Sequence, residues 1–289
     1  MWLLLSFLSA TLLGFYDVFK KLSLRDNAVI PVLFLNTLFS TLIFLPVIVG
    51  TASDFCWEQQ RLIVLKAVIV LSSWVFGYLG IKHLPITIVG PINATRPVWV
   101  LVGALLMFGE RLNLRQWLGV ILTVISVYLL SQSGRREGIR FAHNRWIYYV
   151  VLAAVLGAVS ALYDKYLMAP LGQGVGIDRR LVQSWNNLYQ MILMGMAMFT
   201  QRRTSTRFHW HWAILCISVF LSAADYVYFQ ALSLDDALIS VVSMIRRGSV
   251  LVSFCFGAIV FHEKNLKSKA FDLALVFISM LLLYLGSAH

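Results

Sequence analysis

Three arginines stand inside otherwise apolar stretches: Arg96 in one, and Arg246 with Arg247 in another. A charged side chain at the centre of a bilayer costs about 2.5–3.5 kcal/mol on insertion scales, so such residues are expected to face a bundle interior or water. Their planar fork suits a carboxylate or another anionic group. An internal salt bridge is the competing reading, with Asp225, Asp17 or Asp164 as the acid. Pro91 and Pro97 bracket Arg96, and each removes a backbone donor and crowds the carbonyl four residues back. The spacing predicts a kinked or interrupted helix whose freed carbonyls, near Thr87 and Asn93, face a cavity, the place where irregular backbone is tolerated at membrane depth. Gly248 beside Arg246 and Arg247 would do the same for their helix.

Other polar residues in apolar runs extend the set. Gln183, Trp185, Asn186, Asn187, Tyr189 and Gln190 crowd one segment, with Asn36 matching Asn186, and Trp74, Tyr78, Asp225, Tyr226, Tyr228 and Gln230 lie in two more. Aromatic walls with amide and hydroxyl tips fit a small amphipathic ligand, although such aromatics also serve as packing and interface belts. The expected cavity is built from Arg96, Arg246, Asp225, Asn186, Tyr78, Tyr228, Trp185 and Trp74, with Pro91 and Pro97 as the helix break.

The elements that position them follow from composition. Of 289 residues 60% are apolar and only 13% charged, against roughly 45–50% and 25% in soluble domains. A water-soluble enzyme is excluded. Apolar runs predict helices at roughly 2–21, 28–49, 62–82, 86–108, 115–132, 146–168, 180–200, 211–232, 238–261 and 269–286. The first reads as a retained helix and not a signal peptide, for want of a basic start and a cleavage site. A polar segment at 132–145 with four arginines divides the chain nearly in half.

The halves repeat. At an offset of 147, Ser6, Ala10, Gly14, Tyr16 and Asp17 fall on Ala153, Gly157, Ala161, Tyr163 and Asp164. At 150, Val32, Asn36, Ser72, Tyr78 and Arg96 fall on Val182, Asn186, Ser222, Tyr228 and Arg246. At 153, Phe108, Glu110 and Arg111 fall on Phe261, Glu263 and Lys264. Internal duplication gives one unit at 1–132, a basic connecting loop at 133–145 and a second unit at 146–289. Five helices is an odd number, so the second unit enters the membrane from the opposite side. The expected fold is an all-α polytopic membrane protein of ten transmembrane helices in two inverted five-helix repeats, an architecture found in transporters.

Connections after odd-numbered helices carry 14 basic residues against seven on the other side, which the positive-inside rule reads as cytoplasmic odd connections and termini outside. The net charge of +11 then faces anionic head groups, and nucleic acid is excluded as a partner. Ser6, Ala10, Gly14 and Asp17 share one helix face, and Ala153, Gly157, Ala161 and Asp164 repeat it. Such stripes let helices approach closely. Their acids are read either as ion pairs, Asp17 with Lys20 or Lys21 and Asp164 beside Lys165, or as coupling or gating groups at a cavity mouth. Glu110 and Glu263 read as terminal anchors. Cys56, Cys216 and Cys255 have no paired spacing; His209 and His211 sit in a basic loop, and no HExxH, Walker or GxGxxG motif occurs. No metal, cofactor or catalytic residue is expected.

The sequence resembles the drug/metabolite transporter superfamily in its ten-helix form with two EamA-type repeats. The likeness rests on the five-plus-five layout, the stretches 14–20 (GFYDVFK) and 162–165 (LYDK), Pro97, and the helix ends 108–111 (FGER) and 261–264 (FHEK). Arg247 and Gly248 depart from it, standing where many members carry proline. The resemblance implies a secondary carrier of small metabolites in the inner membrane, often an exporter of amino acids or related compounds, with the cavity between the halves. A coupling proton or counter-substrate and a homodimer are left open by it. A nucleotide-sugar or lipid-linked sugar carrier is the alternative within transport; a membrane-embedded scaffold or enzyme is the alternative outside it.

Overall fold

The computed structural model describes residues 2–54, 56–96, 98–100, 113–135, 141–168, 174–200, 208–232, 245–260 and 266–287. Ten α-helices occupy them: α1 Trp2–Ser23, α2 Val29–Gly50, α3 Trp57–His83, α4 Ile86–Ala94, α5 Leu114–Arg135, α6 Arg145–Met168, α7 Arg179–Thr200, α8 Trp212–Leu232, α9 Ser249–Val260 and α10 Leu266–Ser287. The protein is a multi-pass, all-α membrane protein. By length and composition alone α2, α3 and α6 could each cross a bilayer.

The main contacts join the two halves. α1 packs on α8 and α3 on α6; α2 packs on α7, α4 on α9 and α5 on α10. Exchanging the first five helices with the last five returns the same set of pairs, and the weaker pairs α1 with α9 and α4 with α6, or α2 with α8 and α3 with α7, also interchange. A buried hydrogen bond crosses each of the first two pairs: Ser9 donates to the Ala224 carbonyl at 2.7 Å across α1 and α8, and Ser73 to the Ala153 carbonyl at 2.8 Å across α3 and α6. Neither half can bury its own apolar faces without the other.

The connections sort onto two ends. At one end Lys21 of α1 donates to the Ile81 and Leu84 carbonyls after α3, at 2.6 and 2.5 Å, a cation placed on the electronegative end of a helix. There too Lys82 donates to the Asn27 carbonyl at 2.6 Å, and Asn27 brackets His209 with two hydrogen bonds of 2.9 Å. His83 stacks on Trp146 with 3.6 Å between ring centroids. At the other end Trp185 donates to the Thr51 hydroxyl at 3.3 Å, Ile177 bonds back to the Leu167 carbonyl at 2.9 Å, and Asn113 donates to the Gly286 carbonyl at 2.5 Å. Segments that follow odd-numbered helices therefore meet one another, as do those that follow even-numbered ones. A five-helix unit starting at one end is followed by a unit starting at the other, which is the inverted arrangement.

Two boundaries differ from expectation. Helix α3 begins at Trp57, five residues earlier than the apolar run, because Glu58, Gln59 and Arg61 are good helix formers outside the apolar zone. The last helix starts at Leu266, three residues before the expected 269, so Lys269, expected at the helix start, lies inside α10 and is fully buried.

Candidate functional site

Helix α4 stops at Ala94, where the Thr95 amide and hydroxyl both bond to the Ile92 carbonyl, at 3.1 and 2.7 Å. Pro97 lies outside the described residues, but as a proline it has no N–H for the Asn93 carbonyl. The partner helix is interrupted as well: the Gly248 amide bonds to the Ile245 carbonyl at 2.8 Å, and α9 starts only beyond it. A side chain at Gly248 would meet that same carbonyl at 2.8 Å, so the turn needs glycine. Both arginine positions thus border helix breaks, and α4 and α9 pack together.

Arg96 reaches α6. A β-carbon on Gly157 would lie 2.7 Å from Arg96 Cζ, 2.9 Å from Nε and 3.0 Å from Nη1, so the guanidinium rests directly on the glycine backbone. Gly157 is the thirteenth of the 24 residues of α6, which places the guanidinium near mid-depth. Among the described residues Arg96 Nε has no hydrogen-bond partner, nor has the nearby Asn93 Oδ1. Asp17, Tyr16 and Arg246 lie close enough for their charges to act on Arg96. Arg247, not singled out as a site residue from sequence, likewise lies within reach of the charges of Arg96, Arg246, Tyr228 and Asp17.

Arg246 is paired: its guanidinium donates to Asp225 of α8 and lies over the Tyr228 ring with Cζ 4.2 Å from the centroid. The salt-bridge reading therefore holds for Arg246 and not for Arg96. Two further ion pairs flank the arginines. Lys20 pairs with Asp17 at 2.5 Å and lies over the rings of Tyr16 and Tyr78, whose hydroxyls are 3.3 Å apart. Asp164 pairs with Lys66 of α3 at 2.6 Å; the side chain of Lys165 lies outside the described residues. Asp17 is in the last two turns of α1 and Asp164 in the last two of α6, so the two repeat-related acids sit toward opposite ends of the bundle.

Not every expected wall residue joins this cluster. Trp185 and Tyr189 stand at the Thr51 end, where the Tyr189 hydroxyl donates to Gln60 Oε1 at 2.9 Å. Asn186 is buried on α7 with Oδ1 unpartnered among the described residues, and Asn36 receives Ser218 on Oδ1 at 3.1 Å. Trp74 packs against the main apolar core and Tyr226 points outward. His211 Nδ1 accepts the Ala213 amide at 3.0 Å and so caps α8. Glu110 and Glu263 fall outside the described residues. Among the described residues no group of three or more His, Cys, Asp or Glu could hold a metal.

The sequence reading missed a second buried polar group. Lys269 Nζ donates to the Thr87 hydroxyl of α4 at 2.9 Å, Asp272 is buried one turn on, and Ser126 of α5 donates to the Asp272 carbonyl at 2.7 Å. The signal was Lys269 and Asp272 three apart at the start of the last apolar run.

Comparison with known proteins gives a likeness. Residues 1–132 match the model of the EamA-like transporter family. An uncharacterized transporter of Archaeoglobus fulgidus is 25% identical over 168 residues, which are 57% of this chain and 59% of that protein, so the match spans less than two thirds of the relative. A crystal structure described only as that of a protein shares the fold over 99% of this chain and 97% of its own, with a TM-score of 0.63 at 15% identity.

Proposed function

We propose that the protein is an inner-membrane secondary transporter of small metabolites, working by alternating access around a polar centre between its halves. The observation that carries this reading is the position of Asp17 and Asp164. Repeat-related acids, each held by a lysine, stand toward opposite ends of a bundle whose middle holds Arg96 on Gly157 and Arg246 on Asp225. A substrate site between two such closures is the arrangement expected when one repeat rocks against the other. Arg96 contributes a guanidinium whose Nε has no partner among the described residues, while the Arg246–Asp225 pair and Tyr228 form a preset wall beside it.

Amino acids and related acids are the cargo that the family resemblance favours, with export the direction and a proton or a counter-substrate the coupling. Odd-numbered connections face the cytoplasm in this reading. Excluding the buried Lys20 and Lys269 from the basic residues leaves that bias unchanged in direction. The test is flux into proteoliposomes. Arg96→Ala should stop it with the protein still inserted and folded, and wild-type flux in that variant would refute the role of Arg96.

A further inference from the structure

We propose that Asn36, Ser40, Asn186 and Gln190 line the transport pathway: α2 and α7 part at mid-depth during the cycle, and these uncharged side chains then hydrogen-bond water and the polar groups of the cargo. This rests on the transport reading above and adds a neutral polar wall to the arginine site.

Four polar side chains on two repeat-related helices carry the argument. They occupy matching places, Asn36 with Asn186 and Ser40 with Gln190 at the offset of 150. All are buried: Asn36 is 0% exposed, Gln190 1%, Ser40 5% and Asn186 8%. Yet Asn36 Nδ2, Ser40 Oγ, Asn186 Oδ1 and Gln190 Nε2 each lack a hydrogen-bond partner among the described residues. An open polar atom in a dry interior is costly, and permanent packing gives no reason to keep four of them on one pair of helices.

Their placement follows from the packing of the pair. α2 and α7 run antiparallel in contact: the Thr41 hydroxyl donates to the Asn187 carbonyl at 3.0 Å, while Phe34 lies 3.5 Å from where a β-carbon on Gly195 would stand. Ser40 and Gln190 are each the twelfth of 22 residues in their helices, so both stand at mid-length. Asn36 and Asn186 precede them by one turn on the same helix faces, and the antiparallel course sends them toward opposite ends. The polar line thus runs lengthwise through the middle of the bundle. Ser218 of α8 donates to Asn36, so the line lies where the first half meets the second.

Other pairs between the halves are satisfied. Inside α5 and α10 the Thr123 and Ser279 hydroxyls are 2.5 Å apart, and Ser126 donates to the Asp272 carbonyl at 2.7 Å. Among the described residues no buried side-chain polar atom is left open on α1, α5, α8, α9 or α10. Interfaces that stay together pair their polar atoms; those of α2 and α7 gain partners when the helices open to water. Turning an Asn or Gln amide over exchanges donor for acceptor at the open position. The line therefore fits partners that both donate and accept, as water does and as the amino and carboxylate groups of an amino acid do together.

The experiment uses the full-length protein in proteoliposomes with Cys56, Cys216 and Cys255 replaced by serine. Ser40→Cys is compared with Ser279→Cys, which is also enclosed, on α10, but at a position bonded to Thr123. Ser40→Cys should react with the water-borne thiol reagent methanethiosulfonate-ethylammonium about tenfold faster or more, because a thiol must reach water to react. Gln190→Leu removes an open amide from the closed form, so it should raise the thermal midpoint and slow the flux of radiolabelled amino acids about tenfold.

Equally slow labelling of the two cysteines overturns the inference. So does Gln190→Leu with a raised midpoint and wild-type flux, the mark of fixed packing, or with a lowered midpoint, the mark of an amide already bonded. The two readings fail separately. Fast labelling of Ser40→Cys with no amino acid moved would sink amino-acid transport and keep the opening of α2 from α7. Amino-acid flux with Ser40→Cys unlabelled would keep transport and sink the opening.

Discussion

The guanidinium of Arg96 lies on Gly157, close enough that one added methyl group would fall 2.7 Å from its central carbon. A small-residue stripe that reads in sequence as helix packing is therefore, at this position, the seat of a partly buried cation. Gly157→Ala should unseat Arg96 and reduce flux as severely as Arg96→Ala. Gly77→Ala is the control: its β-carbon would meet Ala153 at an ordinary 3.6 Å, so stability should stay within about 0.5 kcal/mol. Equal flux in the two glycine variants would show that the seat does not matter.

The Arg246–Asp225 pair predicts non-additive losses. Asp225→Asn leaves a partly buried guanidinium short of its acceptor and should cost about 1–3 kcal/mol in unfolding free energy. Adding Arg246→Gln should recover part of that loss, a coupling readable in a double-mutant cycle. Simple additivity would mean that the two side chains do not support each other.

Close packing at two glycines should respond differently to compensation. A β-carbon on Gly80 would lie 2.2 Å from Val150 Cγ2, the far end of a side chain. Gly80→Ala should cost about 1–3 kcal/mol by overpacking, and Val150→Ala should restore most of it. On Gly14 the β-carbon would meet Val252 Cβ at 2.4 Å and also the Ser249 carbonyl at 2.9 Å. Backbone cannot be trimmed away, so Val252→Ala should rescue Gly14→Ala poorly.

Lys269 ties α10 to the interrupted α4 through Thr87. Thr87→Val leaves a buried ammonium short of an acceptor and should lower stability by about 1–3 kcal/mol, whereas Thr87→Ser should be nearly silent. Thermal denaturation of the three proteins distinguishes these outcomes.

Orientation is open to a chemical test. Cys56 is exposed at the start of α3, on the end that the positive-inside reading places outside the cell. A membrane-impermeant maleimide should label it in intact cells, and Cys56→Ser should remove the label. Labelling only after lysis would invert the assignment.

The sequence by itself determined the layout. Apolar runs of bilayer length, broken by charge, defined ten helices because a helix satisfies its backbone hydrogen bonds within a single segment in lipid. Matching residues at offsets near 150 gave the duplication, and an odd helix number in each unit forced the inversion. The prolines and Gly248 announced the interrupted helices because their covalent chemistry is local. Pairing was not legible. Asp164 pairs with Lys66 from another helix, Lys269 at the expected start of the last helix reaches Thr87 of α4, and Trp185 and Tyr189 bond to Thr51 and Gln60 respectively. Which cation meets which acid depends on how helices from the two halves rotate and cross when their apolar faces are buried. That rotation is set by close approach at positions such as Gly80 and Gly157, a relation between distant segments that tertiary packing alone decided.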